Sequence, residues 1–231
     1  MHLPNPATAA ATVVTALLFT SVLAIPQTHN APAANSTVNL GGRYRVVGTN
    51  PDGGQYLGTL EVISHGNVYQ FRWNAGTQYD GIGVRNGKIA AVAFASGSDG
   101  TGCGVVDYTV LNDGSLEGIW GYWGTSGSGT ESAKRVSGRG LDGDYAGTGM
   151  NPDGKRYQVN ISVRAAGSGY KFAWSNQTEG FGIRRGDNVA VGIGGERCGF
   201  VAYEIKPDGS LDGVWGGYGS QLTGTEKATK Q

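Results

Sequence analysis

Three pairs of acidic residues recur at equivalent places in two stretches of the chain, and they are the residues best suited to catalysis. The pairs are Asp80 with Glu179, Glu117 with Asp212, and Glu131 with Glu226. Two carboxylates flanking a glycosidic bond are the equipment of a glycoside hydrolase. Strand alternation points Glu117 outward, and Glu131 belongs to a Gly-Thr-Glu turn, where a carboxylate commonly accepts backbone N–H groups. The pattern therefore favours a protein that is not an enzyme, and no catalytic residue is assigned.

Other reactive residues are scarce. His65 is the one histidine beyond the N-terminal segment, and it lies in a turn without a Gly-x-Ser-x-Gly motif elsewhere to supply a nucleophile. A structural zinc site needs cysteine pairs two to four residues apart together with further ligands, which this chain lacks. The sequence therefore predicts no metal site and no cofactor.

The two cysteines, Cys103 and Cys198, stand at equivalent positions and each precedes a glycine. Two outcomes are open. In an oxidising compartment they form one disulfide, provided that the two stretches pack about a pseudo-twofold axis through this region. Otherwise both are buried free thiols that act as small core residues.

Aromatic residues supply the candidate binding surfaces. Alternation along residues 116–123 turns Trp120 and Tyr122 inward and Trp123 outward, between glycines, as a flat platform suited to peptide or sugar stacking. Tyr218 is the counterpart of Trp123, and the alternative is that these outward rings form the contact between the two stretches. The ligand-binding candidates are Trp123, Tyr122, Tyr218, Trp73, Trp174, Trp120 and Trp215.

The tripeptide Arg185-Gly186-Asp187 matches a cell-adhesion motif at a predicted hairpin tip. The first stretch has Asn86-Gly87-Lys88 at the equivalent turn. Glycine is therefore expected there for its positive φ, and the tripeptide is interpreted as a turn.

These residues are positioned by an internal duplication. Asn50-Pro51-Asp52-Gly53 and Trp73 recur 101 residues later, and the Cys, Asp-Gly-Ser-Leu and Gly-Thr-Glu elements recur 95 residues later. Each copy shows about eight short runs of period-two alternation separated by Gly and Asn turns, the pattern of a barrel or sandwich. The prediction is an all-β fold of two tandem eight-stranded up-and-down (avidin/lipocalin-like) meander barrels, with repeats at residues 41–136 and 142–231. Eight strands enclose a space that side chains fill or that holds one small ligand.

Composition narrows the class of protein further. Forty-two of 231 residues are glycine, and the 18 basic and 18 acidic residues cancel, which gives no electrostatic footprint for nucleic acid. No charged residue precedes Arg43, and residues 11–25 match the apolar core of a secretory signal. We therefore expect a signal peptide and leader over residues 1–34, a periplasmic or secreted protein, and no stable membrane span after processing. The oligomeric state cannot be read from these features.

The repeat also carries a resemblance. It reads Tyr-x-x-x-Gly-Thr-Asn-Pro-Asp-Gly at its start and Asp-Gly-Ser-Leu-x-Gly-x-Trp, then Gly-Thr-Glu, at its end. This resembles small secreted bacterial proteins labelled fibronectin-binding-like, over residues 42–134 and less fully 143–229. The resemblance implies export and binding of an extracellular-matrix or other macromolecular partner. A carrier of one small ligand inside each aromatic-lined barrel is the alternative, and a carboxylate-based hydrolase is the third.

Overall fold

The computed structural model describes residues 38–231, which form sixteen β-strands. The expected signal peptide and leader at residues 1–34 lie outside the described residues. The strands of the first repeat are β1 (Gly42–Thr49), β2 (Gln55–His65), β3 (Val68–Asn74), β4 (Gln78–Asn86), β5 (Ile89–Ser96), β6 (Gly104–Val110), β7 (Leu116–Tyr122) and β8 (Gly129–Arg139). Those of the second are β9 (Asp142–Met150), β10 (Arg156–Ala166), β11 (Gly169–Trp174), β12 (Glu179–Arg185), β13 (Asn188–Ile193), β14 (Gly199–Ile205), β15 (Leu211–Gly216) and β16 (Gly224–Lys230). A short 3₁₀ turn, Gly195–Arg197, precedes β14, and no helix of the described part is long and apolar enough to cross a membrane.

The strands close into two eight-stranded antiparallel barrels, which confirms the predicted fold class. Barrel 1 consists of β1 to β5 and β14 to β16, and barrel 2 consists of β6 to β13. In each barrel, neighbouring strands follow the order of an up-and-down meander. Closure pairs every strand on both sides and removes the exposed edges of a glycine-rich sheet.

The barrels do not coincide with the repeats, and this corrects the expected domain boundaries of 41–136 and 142–231. The last three strands of each repeat complete the barrel begun by the other repeat. β5 pairs with β14, with Val92 opposite Val201, and β13 pairs with β6, with Val191 opposite Val106. Strands β6 to β8 and β14 to β16 carry the same alternation, so each set fits either barrel. Periodicity predicts the strands, but it does not decide whether the chain turns back or crosses over.

A third apolar cluster joins the two barrels, and we call it the seam. It contains the outward-facing residues of β4, β5, β6, β13 and β14, among them Ile82, Ala91, Ala93, Val105 and Ala202. Alanine side chains on the outer faces let two sheets approach closely. β5 is therefore buried on both faces, and its apolar run Ile89–Ala95 shows none of the polar alternation of a half-buried strand.

Cys103 and Cys198 form a disulfide within the seam, with their Cα atoms 5.8 Å apart. Cys103 ends the crossover segment between β5 and β6, and Cys198 ends the one between β13 and β14. Of the two outcomes left open by the sequence, the structure therefore has the disulfide. The two repeats are arranged about a pseudo-twofold axis in this region, as a bond between equivalent cysteines requires.

Each barrel is filled at one end and hollow at the other. At the filled end of barrel 1, the Tyr44 hydroxyl donates a hydrogen bond to the Leu40 carbonyl oxygen at 2.8 Å, and both residues are fully buried. Tyr145 and Leu141 repeat this contact in barrel 2 at 2.9 Å. The opposite ends, where the Asn-Pro-Asp-Gly hairpins lie, open into cavities.

Candidate functional site

A buried carboxylate lies at the floor of the hollow end of barrel 1. Oε1 of Glu226 accepts hydrogen bonds from the Tyr203 hydroxyl and from the indole Nε1 of Trp73, the latter at 3.0 Å. Oε2 accepts a hydrogen bond from the Tyr56 hydroxyl at 2.9 Å. Strand alternation brings these groups together, because Glu226 faces inward on β16 as Trp73 does on β3. A buried charge requires such donors, so the four side chains form one unit.

Barrel 2 contains the same arrangement, built from the equivalent residues. Oε2 of Glu131 accepts hydrogen bonds from the Tyr108 hydroxyl and from Nε1 of Trp174, the latter at 3.3 Å. Oε1 accepts one from the Tyr157 hydroxyl at 2.8 Å. Because of the strand exchange, each cluster draws its side chains from both repeats.

These contacts correct the expectation that Glu131 and Glu226 bind backbone N–H groups in a turn. Both residues lie within strands, β8 and β16, rather than in turns. Gly129 is buried, Thr130 is exposed and Glu131 is buried again, which is ordinary period-two alternation. The signal was present in the sequence, since Glu131 and Ala133 share the inward face of β8.

The electrostatics of the floor fix the roles of its hydroxyls. Burial raises the pKa of the Glu226 carboxyl, while the hydrogen bonds from Tyr203, Trp73 and Tyr56 oppose that rise. Burial and the neighbouring Glu226 charge raise the pKa of both tyrosines. Tyr56 and Tyr203 therefore keep their protons at physiological pH and act as donors toward the carboxylate.

The hollow end of barrel 1, called mouth 1, has a volume of about 300 Å³. This lies at the lower end of the range of small-molecule pockets, and the aromatic wall with a few polar groups fits that class. The lining residues are Asn50, Tyr56, Trp73, Ala75, Thr77, Tyr79, Phe94, Val201, Trp215 and Glu226.

The corresponding space in barrel 2, called mouth 2, has a volume of about 340 Å³. It contains the equivalents of five residues of mouth 1, namely Glu226, Trp73, Trp215, Tyr56 and Asn50. The lining residues are Val106, Trp120, Tyr122, Glu131, Asn151, Tyr157, Gln158, Val159, Trp174, Ser175, Asn176, Thr178 and Ile193.

One indole N–H in each mouth is buried and makes no hydrogen bond of normal length, that of Trp215 beside the Tyr56 hydroxyl in mouth 1 and that of Trp120 beside the Tyr157 hydroxyl in mouth 2. The Trp215 ring lies against Gly224 and the Trp120 ring lies against Gly129, where any Cβ would overlap the ring. The glycines thus fix the position of each indole. An unpaired buried donor destabilises the protein by about 1 to 3 kcal/mol, and a hydrogen-bond acceptor on a ligand would remove this penalty.

The two mouths differ at the rim. The positions of Tyr79 and Phe94 in mouth 1 are taken by Thr178 and Ile193 in mouth 2, while mouth 2 gains Tyr122. Phe94 covers Gly199, whereas Tyr122 covers the equivalent Gly104 from the neighbouring strand on the other side. The glycine position is thus covered in both barrels, but the ring comes from a different strand.

The structure divides the sequence-predicted candidates into two groups. Trp73, Trp215, Trp120, Trp174 and Tyr122 line the mouths. Trp123 and Tyr218 do not.

Trp123 and Tyr218 are half-buried where the two barrels meet. Trp123 packs against the seam and against Gly100 of the crossover segment, and its backbone N–H donates to the Cys103 carbonyl oxygen at 3.0 Å. The Tyr218 ring centroid lies 6.0 Å from that of Phe181, which belongs to the other barrel. The geometry thus corresponds to a contact between the two barrels rather than to a free platform.

The remaining carboxylates lie outside the mouths. Asp80 is buried beneath Gln70, which donates to it at 3.2 Å, and beside Arg72, whose Nε is 3.4 Å from its Oδ2. Glu179 pairs with Lys171 at 3.2 Å on the surface. Glu117 and Asp212 are exposed on β7 and β15. The recurrent acids are therefore not gathered into one cleft.

Arg185 of the adhesion-like tripeptide fastens the two barrels together. Its guanidinium donates to the carbonyl oxygen of Ala202 at 3.0 Å and lies 3.6 Å from the carboxylate of Glu204, both in barrel 1. Gly186 has a φ of 60°, as a hairpin tip requires. The side chain of Asp187 is exposed, but the arginine is not displayed for a partner.

Within residues 38–231, no cluster of three or more His, Cys, Asp or Glu side chains is arranged to hold a metal ion. No protein family, curated protein or solved structure matches this chain, so the functional argument depends on the site itself.

Proposed function

We propose that this protein binds small molecules, with one ligand in the mouth of each barrel. The observation that carries the proposal is the duplicated floor, in which a buried glutamate, two tyrosines and a tryptophan lie below a second tryptophan with an unpaired N–H. A purely structural core would be filled with apolar side chains, since buried polar groups are costly unless fully paired.

The chemistry of the mouths indicates the kind of ligand. An apolar or ring-shaped body would contact the tryptophan, tyrosine and phenylalanine side chains of the wall. An oxygen acceptor on the ligand would pair with the indole N–H of Trp215 or Trp120. Among the described residues that line each mouth there is one carboxylate, whereas glycoside hydrolysis uses two, so we propose binding without catalysis.

We also propose that the protein acts in the periplasm or outside the cell. The disulfide between Cys103 and Cys198 supports this location, because disulfides persist in oxidising compartments. The matrix-protein interpretation relied on an outward Trp123, and the half-buried position of that indole gives it no support.

Titration with the neutral fluorescent probe N-phenyl-1-naphthylamine tests the proposal. Four of the five tryptophans line the mouths, so binding should quench tryptophan emission and saturate at two probes per chain. Trp215→Phe should weaken one of the two sites and Trp120→Phe the other. Trp123→Phe is the matched control and should leave both sites intact. Absence of saturable binding, or binding that neither mouth variant affects, would refute the proposal.

A further inference from the structure

We infer that mouth 1 is a site for a quaternary ammonium compound that also carries an oxygen acceptor, the chemistry of a choline-type ligand. The inference rests on the proposed function and names the ligand class for one of its two sites. Three features of mouth 1 carry it, namely the arrangement of the rings, the isolated charge, and the unpaired indole.

The aromatic rings of mouth 1 form an open box rather than a stack. Phe94 lies between Trp73 at 5.7 Å and Trp215 at 6.3 Å, with interplanar angles of 57° and 71°. Tyr79 meets Phe94 at 90°, and Tyr56 meets Trp215 at 71°. Parallel faces would suit a flat ligand. Rings set at steep angles line a rounded space on several sides, and the electron-rich faces of such rings attract a cation.

Ionised Glu226, which burial opposes and its three hydrogen-bond donors favour, gives mouth 1 an unbalanced negative charge. Among the described residues of its lining, Glu226 is the only charged one. An organic cation would balance this carboxylate at close range in surroundings of low dielectric constant.

The hydrogen bonds of Glu226 then select the type of cation. Its two oxygens already accept three hydrogen bonds, so few lone pairs remain for a ligand. A primary ammonium group brings three N–H donors that this floor cannot satisfy. A quaternary ammonium group has no N–H donor and is attracted by its charge alone, so it fits a carboxylate that is already occupied.

The N–H of Trp215 accounts for the second part of the ligand. It is buried and unpaired at the wall of the same cavity that holds Glu226 at its floor. A hydroxyl, carbonyl or carboxylate oxygen a few bonds from the ammonium group would accept this hydrogen bond. A hydrocarbon or a bare tetraalkylammonium ion would leave the donor unpaired.

Mouth 2 is an internal comparison for the role of the rings. It keeps the glutamate and both indoles and gains Tyr122, but Thr178 and Ile193 replace two of the rings, so four rings remain where mouth 1 has five, and Ser175 and Asn176 add polar surface. It retains the charge with less of the aromatic box. We therefore expect the same cation to bind mouth 2 at least fivefold more weakly than mouth 1.

The test compares choline with 3,3-dimethylbutan-1-ol, which has the same shape and hydroxyl group but a carbon atom in place of the cationic nitrogen. Calorimetric titration of the full chain should give a dissociation constant for choline at least tenfold below that of the neutral alcohol. Glu226→Gln should remove this preference at mouth 1, and the matched variant Glu131→Gln should leave it. Phe94→Ile, which installs the mouth 2 residue, should weaken choline binding at least threefold and gives a second readout if Glu226→Gln does not fold.

Equal affinity of mouth 1 for the two compounds, or a choline preference at mouth 1 that survives Glu226→Gln in a folded protein, would overturn the inference. Absence of choline binding by a protein that still binds N-phenyl-1-naphthylamine in its mouths would refute the ligand class and leave the proposed function standing. If neither choline nor N-phenyl-1-naphthylamine binds, the ligand class and the proposed function are both refuted.

Discussion

Cys103 and Cys198 are bonded to each other across the seam although 95 residues separate them in the chain. Each closes one of the two segments that carry the chain from one barrel into the other. The bond therefore joins the two crossovers and holds the exchanged strands in place.

Removal of this bond should destabilise the protein substantially. A disulfide that closes a loop of this length stabilises by about 4.7 kcal/mol in the chain-entropy treatment. We expect the double variant Cys103→Ala/Cys198→Ala to lose roughly 2 to 5 kcal/mol of unfolding free energy, measured by urea denaturation. Reduced wild-type protein is the control and should fall to a similar midpoint. A loss below about 1 kcal/mol would mean that the seam alone holds the crossovers.

The strand exchange predicts the behaviour of a single repeat. A fragment of residues 38–140 contains β1 to β8, one strand for each position of a barrel. If it closed as a monomer, the outward-facing side chains of Val84, Ala91 and Ala93 would be exposed to solvent. Two copies that exchange β6 to β8 would rebuild the seam and bring their two Cys103 residues together. We expect a dimer by light scattering, linked by a disulfide on non-reducing electrophoresis. A stable monomer with a cooperative melt would show that one repeat closes its own barrel.

A buried acid in the seam should make stability depend on pH. Asp107 is fully buried, its Oδ2 accepts a hydrogen bond from Nδ2 of Asn188 at 2.5 Å, and its Oδ1 makes no hydrogen bond of normal length although the Asn86 amide lies nearby. Burial raises the pKa of Asp107 to about 7. The folded state thus holds a proton that the unfolded chain releases near pH 4, so this contribution is complete below about pH 4 and is lost as the pH rises through 7.

The free energy of unfolding should therefore fall between about pH 4 and 7, by up to roughly 4 kcal/mol from this group. Burial also raises the pKa of Asp80 and Glu226, which act in the same direction. The variant Asp107→Asn keeps Asp80 and Glu226 and removes only the carboxyl group of Asp107. The difference between the pH profiles of the wild type and the variant therefore gives the contribution of Asp107. Parallel profiles for the wild type and the variant would contradict this assignment.

The barrels could be predicted because their determinants are local. Turn residues and period-two alternation specify each strand, and the duplication repeats the evidence. The exchange could not be predicted from the same signals, since β6 to β8 and β14 to β16 are interchangeable in pattern. The apolar run Ile89–Ala95 was the available hint, because a strand buried on both faces requires a second layer against its outer side.

The mouths were predicted in part. Alternation predicts that Trp120 faces inward, and Trp73, Trp174 and Trp215 are among the ligand-binding candidates of the sequence; all four line the cavities. Glu226 and its equivalent were missed because the Gly-Thr-Glu motif was interpreted as a turn, although alternation along β16 places the acid inward. Which end of each barrel is hollow depends on side-chain packing across strands from both repeats, and no local pattern reports that.

Substitution of Trp123 distinguishes a structural role from a recognition role. The indole packs on the seam and on Gly100, so Trp123→Ala should remove apolar contacts and lower the unfolding free energy by about 2 kcal/mol, less than for a fully buried tryptophan. Asp187→Ala is the control, since its side chain is exposed at a hairpin tip and its loss should change stability by less than about 0.5 kcal/mol. Urea denaturation measures both, and surface plasmon resonance against immobilised fibronectin measures recognition. Unchanged stability together with a tenfold loss of fibronectin binding in Trp123→Ala would reverse this assignment and make the indole a contact for a matrix protein.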